Sequence, residues 1–179
     1  MKTLLAVAEA IDRFNRRACL IATWLVLLAC AVSAINASVR YAFSISSNAW
    51  LELQWYMFAG IVMLGASYTF KLNEHVRVDV LYARYPPRLA AWVDLLGTVF
   101  FLMPTALLIA WMSWPLFIQS YASGEMSSNA GGLIRWPVKL LIPIGAVLLA
   151  LQGLSEIVKR IGFLRGQYAM DTHYEKPLQ

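Results

Sequence analysis

The sequence predicts an all-α membrane protein with four transmembrane helices and both termini on the cytoplasmic side. Three observations carry this. First, of the 179 residues 60% are hydrophobic and only 14% charged, with a mean hydropathy of +0.60. A soluble domain carries about 25% charged residues, so this chain could not cover a water-exposed surface, and a soluble enzyme is excluded. Second, the apolar residues gather into four long runs. Third, twelve of the 15 Lys and Arg lie before the first run, between the second and third, or after the fourth.

A hydrocarbon core about 30 Å thick needs about 20 residues of helix. The predicted spans are 18–35, 50–70, 89–118 and 138–158. The first is uninterrupted by charge, and the second holds Glu52 and Gln54 near its beginning. The third holds Asp94 alone, and the fourth has Lys139 and Glu156 at its two ends. Backbone amides in lipid have no water to bond, so each run must be helical. This divides the chain into an N-terminal segment 1–17, a four-helix membrane domain 18–160 and a cytoplasmic tail 161–179.

In the opening segment Leu4, Val7, Ala8 and Ile11 fall on one side at helical spacing, with Glu9, Asp12, Arg13 and Arg16 toward the other. Such a helix can lie in the membrane interface before span one, or it can extend span one into the cytoplasm. A cleaved leader is disfavoured, although Leu27, Leu28, Ala29 and Cys30 loosely imitate a lipoprotein cleavage box. The 18–35 run is longer than the usual signal core.

Orientation follows from the cations. Lys2, Arg13, Arg16 and Arg17 precede span one; Lys71, Arg77, Arg84 and Arg88 lie between spans two and three; Lys159, Arg160, Arg165 and Lys176 follow span four. The positive-inside rule places these on the cytoplasmic side and Arg40, Arg135 and Lys139 on the other. The pI of 9.4 is thereby a matter of topology, and no nucleic acid need be invoked.

Several membrane chemistries drop out. Cys19 and Cys30 stand eleven residues apart on one helix, about 16 Å along its axis, so they cannot pair with each other, and there is no Cys-x-x-Cys. His75 and His173 both lie outside the spans, which argues against haem. There is no phosphate-binding Gly-x-x-x-x-Gly-Lys loop. No nucleophile, metal set or cofactor site can be assembled, so the chain is expected to be neither an enzyme nor a cofactor carrier.

Polar residues in or beside the spans remain. Glu52 lies in the first turn of span two, where the helix dipole favours an anion, bracketed by Trp50 and Trp55 as interface anchors. It reads as a structural or partner-contacting carboxylate, against a proton or cation site. In the link KLNEHVRVDVLYARYPPR, from Lys71 to Arg88, His75, Arg77 and Asp79 alternate with valines. Charge pairing at a surface is the expected use, against a pH-sensing histidine. Pro104, Pro115 and Pro143 predict bends in the third and fourth spans. The Ser- and Gly-rich loop from Tyr121 to Pro137 reads equally as a docking surface or a lipid-facing turn.

Glu52, Gln54, Trp55, Gly65, Lys71, Asn73 and the string EHVRVD ending at Asp79 resemble the small membrane subunit of TRAP transporters, the DctQ type. EMSSNAGGLIRWPVKLLIPIG from Glu125 and LQGLSE from Leu151 add to the resemblance, which covers about residues 10 to 165. The resemblance implies a three-part importer in the bacterial inner membrane, driven by an ion gradient. A periplasmic binding protein (DctP-type) delivers an organic acid to a large membrane subunit (DctM-type), and the small subunit scaffolds the large one. It further implies that Glu52, Trp55, Asn73, His75, Arg77 and Asp79 face the large subunit. On the same basis, Glu125, Gly131, Gly132 and Trp136 would lie near the docked binding protein.

Two other expectations compete. A self-sufficient homodimeric four-helix exporter would alternate a proton and a cationic drug on one glutamate, for which Glu52 lies too near the end of its span. A membrane assembly factor would need no cargo at all.

Overall fold

The structure, a computed structural model, describes residues 1–45, 47–74, 82 and 85–169. Those residues form α1 (Lys2–Phe43), α2 (Asn48–Leu72), α3 (Pro87–Gly97), a π-helical segment (Thr98–Leu102), α4 (Met103–Ala122) and α5 (Trp136–Leu164). Among the described residues the only extended pairing is a single antiparallel bridge between Met126 and Ile134 in the α4–α5 loop.

Helix boundaries follow local chemistry. Ser47 opens α2 by accepting the Ala49 N–H at 3.3 Å. Asn73 closes it in the left-handed conformation at φ 58°, which Asn tolerates better than most residues. Pro87 and Pro137 stand in the first turns of α3 and α5, where the missing N–H is not needed. Inside the third run, Pro104 cannot donate to Phe100. The five residues Thr98–Leu102 widen into a π turn, in which the Met103 N–H reaches Thr98 O. The rod nevertheless continues from Pro87 to Ala122.

α5 is the hub. It packs against α1, α2, α3, the π segment and α4, while α1 and α2 also pack on each other. Small residues allow the close approach. A Cβ on Gly145 of α5 would stand 2.7 Å from the Met63 carbonyl oxygen of α2, and one on Gly153 would stand 2.9 Å from Leu102 and Met103. The buried apolar residues are mostly alanines, among them Ala8, Ala22, Ala29, Ala106, Ala146 and Ala150. Large apolar side chains point outward, with Trp111 80% and Phe101 76% exposed. This arrangement suits a lipid solvent, in which apolar bulk gains little by turning inward and close van der Waals packing drives association.

Among the described residues three segments are long and apolar enough to cross a membrane: Lys2–Phe43, Pro87–Ala122 and Trp136–Leu164. α2, the second predicted span, has 25 residues and therefore sufficient length, but it is not among the three. Gln54, Tyr56, Ser67, Tyr68 and Thr69 dilute it. At the N-terminus α1 runs unbroken through 17 and 18, about 63 Å in all. The opening residues therefore continue the axis of the first span.

Candidate functional site

Charged and polar side chains of the described residues collect at the two ends of the bundle. At one end, α1 presents Asp12 and Asn15 to α5, which answers with Gln152, Ser155, Glu156, Lys159 and Arg160; all are buried. Their spacing on α5 places them on successive turns of one face. Asp12 pairs with Lys159 at 2.6 Å and with Lys71 of α2 at 3.2 Å, and accepts from Ser155 Oγ at 2.7 Å and Gln152 Nε2 at 3.0 Å. The Asn15 amide donates to Gln152 Oε1 at 2.7 Å and to the Leu148 carbonyl at 3.3 Å. Lys159 also meets Glu156 at 3.1 Å. Arg160, 1% exposed, joins Glu156 to Asp94 of α3, the latter at 3.1 Å, and Tyr82 Oη donates to the same Asp94 oxygen at 2.7 Å.

Asp12, Asp94 and Glu156 balance Lys71, Lys159 and Arg160, so this set of charges sums to zero. A buried ion costs several kcal/mol unless it is paired and hydrogen-bonded. Neutrality and dense bonding let four separate elements meet here.

At the other end Glu52 is buried and binds the α4–α5 loop. Its carboxylate accepts from Ser127 Oγ, from Asn129 Nδ2 at 2.8 Å and from the Leu133 N–H at 2.7 Å. Tyr56 Oη donates to the Ile134 carbonyl at 3.1 Å and Asn48 Nδ2 to that of Ala130 at 3.3 Å. Glu125 pairs with Lys139 and, at 3.7 Å, with Arg135. Lys139 beside it holds the Glu125 carboxyl below the usual glutamate range. The loop is thus tied to α2 and α5 by side chains.

From Glu52 to Lys71 is about 28 Å along α2, and from Lys139 to Lys159 about 30 Å along α5, close to the thickness of a hydrocarbon core. Between the two layers residues 53–70, 95–124 and 140–155 carry no charge, nor do 18–39 of α1. No group of three or more His, Cys, Asp or Glu able to hold a metal occurs among the described residues, and Cys19 and Cys30 are free thiols.

The residues singled out from the sequence fall as follows. Glu52 anchors the loop, while Trp55 three residues on is 61% exposed. Asn73 caps α2. His75, Arg77 and Asp79 lie outside the described residues. Glu125 is in the loop's ion pairs; Gly131 takes φ +70° and Gly132 sits so close to Ser127 that a Cβ would stand 2.4 Å from its own. Trp136 stacks edge-on against Tyr121 with ring centroids 5.5 Å apart. Glu52 thus joins the loop group, through Ser127 and Leu133, and is remote from Asn73.

The buried cluster around Asp12 was not anticipated. The apolar pattern places Asp12 on the water side of its helix, yet Ala8, Asp12 and Asn15 are buried while Leu4 and Val7 are exposed. A signal was present: Ser155, Glu156, Lys159 and Arg160 at helical spacing, together with acids in α1 and α3.

A bundle with outward apolar bulk, charges confined to its ends and an uncharged middle defines a helical membrane protein. Residues 29–162 match the family model described as "Tripartite ATP-independent periplasmic transporters, DctQ component". The chain belongs to that family. The match begins within α1, so Asp12 and Asn15 precede it. No curated protein and no solved structure matches the chain.

Proposed function

We propose that this chain is the small, static membrane subunit of a TRAP-type secondary transporter, bracing a large permease subunit during ion-gradient-driven uptake of an organic acid. In this reading four helices cross the bacterial inner membrane, α2 among them. The Asp12 layer is cytoplasmic, as are both termini, and the Glu52 layer faces the periplasmic binding protein. The observation that carries the reading is the uncharged middle of the bundle. A carrier of an anionic solute needs polar groups near the midplane, and here the charged groups of the described residues sit about 30 Å apart at the two ends. α2 fits as a span because α1 and α5 flank it, while Asp12 of α1 and the α4–α5 loop supply partners for its two polar ends.

A brace must be rigid and must offer surface. Rigidity comes from the two polar layers, which cross-tie the helices at both ends. Surface comes from α1 and the α3–α4 rod, whose apolar windows are only 11% and 17% buried, against 50% for α5. The test is tagged purification from native membrane followed by reconstitution. Co-isolation of a large multi-span protein, and uptake only when that protein and a binding protein are both present, is the expected result. Uptake or drug export by the chain alone in liposomes overturns it.

A further inference from the structure

The outer halves of α1 and α2 carry a polar feature that neither layer uses. An open groove of about 510 Å³ runs between them, lined by Ser33, Asn36, Arg40 and Tyr41 of α1 and by Leu51 and Gln54 of α2. Ser33, Asn36 and Arg40 recur at i, i+3 and i+7, so they share one helix face. Among the described residues the side-chain N–H groups of Asn36, Arg40 and Gln54 meet no acceptor. No carboxylate lines the groove, and Glu52, the one acid of α2, is committed to the loop.

A guanidinium and two amides converging without an acceptor call for an anion. We propose that this groove binds the phosphate headgroup of a membrane phospholipid. Three observations select a lipid. Tyr41, 94% exposed, and Trp50 stand at this level as headgroup-depth aromatics do. The groove is open at the surface of the helix pair, where a lipid headgroup can enter it, and is not an enclosed cavity. From Leu51 in the lining, Phe58 and Val62, at i+7 and i+11 on α2, are likewise exposed and continue as an apolar stripe along which an acyl chain can lie. The Arg40 fork takes the phosphate oxygens, the Asn36 and Gln54 amides hold the remaining acceptors, and the stripe sets the chain's direction.

The experiment uses the full purified chain in detergent and does not depend on the scaffold reading. Thermal unfolding and native mass spectrometry are followed on adding phosphatidylglycerol, diacylglycerol with the same acyl chains, or inorganic phosphate. Phosphatidylglycerol is expected to be retained and to raise the midpoint, with neither control doing so. Arg40→Gln, at an exposed position, is expected to weaken retention at least about tenfold, the loss of one charge-assisted contact, and Arg40→Lys to restore part of it. Gln54→Leu, on the other helix, is expected to weaken retention as well, which separates loss of the site from any disturbance at the end of α1. An equal shift with diacylglycerol overturns the proposal, as does unchanged retention in Arg40→Gln. Release of a co-purifying protein by Arg40→Gln with lipid binding intact also overturns it, and assigns the groove to a partner's carboxylate.

Discussion

Replacing Asp12 by Asn removes one negative charge from the neutral set of six and leaves every other atom nearly in place. Lys159 loses its 2.6 Å partner but keeps Glu156 at 3.1 Å, and Lys71 loses its 3.2 Å partner but lies nearer solvent. Breaking a buried pair on one side costs 3–5 kcal/mol in general. The surviving partners place this case at the low end, about 3 kcal/mol, or a fall of about 6–12 °C in unfolding midpoint for a chain of this size. Adding Lys159→Met restores neutrality, so the double variant is expected to be more stable than the sum of the two singles by about 1.5 kcal/mol. Exposed Arg13→Gln serves as the control and is expected to stay within about 0.5 kcal/mol. The assay is thermal unfolding in one detergent, read by loss of helical circular dichroism. Strict additivity, or a shift for Asp12→Asn no larger than for Arg13→Gln, would refute the idea that the cluster acts as one neutral unit.

Glu52→Gln exchanges an acceptor of three hydrogen bonds for an amide that accepts less and donates; it is expected to cost about 1–3 kcal/mol and to speed proteolysis within Tyr121–Pro137. Uptake by the assembled transporter should stay largely intact, whereas lost ion coupling with an intact loop would make Glu52 a cation site. Gly145→Ala forces a Cβ to 2.7 Å from Met63 O and should cost about 1–3 kcal/mol by overpacking; Gly65→Ala, with nothing within 4 Å, should be near neutral in the same melt. Because its ion pair holds the folded-state pKa of Glu125 below its unfolded value, the stabilisation is present above the unfolded value of about 4.3 and is lost as pH falls through the lower folded value. Loop protection against protease should therefore be flat from neutral pH to about pH 5 and decline only below the ordinary glutamate range, with Lys139→Gln moving the decline upward. Charge reversal at Arg77 or Asp79 is expected to lower uptake by loosening subunit association, measured by co-purification; intact complex and uptake after both changes would count against that role.

Much of the membrane character was legible because hydropathy is a sum over consecutive residues. The runs at 18–35, 89–118 and 138–158 fall inside α1, the Pro87–Ala122 rod and α5. The run at 50–70 became α2, yet its polar residues leave it short of the other three in apolarity. Around Glu52 the sequence offered position, a first turn beside Trp50 and Trp55, but not partners. Ser127, Asn129 and Leu133 lie 75 to 81 residues away, and no local pattern announces a contact at that separation. The opening helix was misread in one respect. Leu4 and Val7 mark an apolar side, which in water would turn to the core.

Composition, run length and cation placement by themselves determined that this is a helical membrane protein, because the cost of exposing backbone amides or charges to hydrocarbon depends only on what the chain contains. Which side of α1 faces inward was decided by tertiary structure alone. In lipid the apolar side gains nothing by burial, so the choice falls to small and polar residues that fit or pair with a neighbour. Ala8, Asp12 and Asn15 turn inward because α5 holds Ser155, Lys159 and Gln152 to receive them.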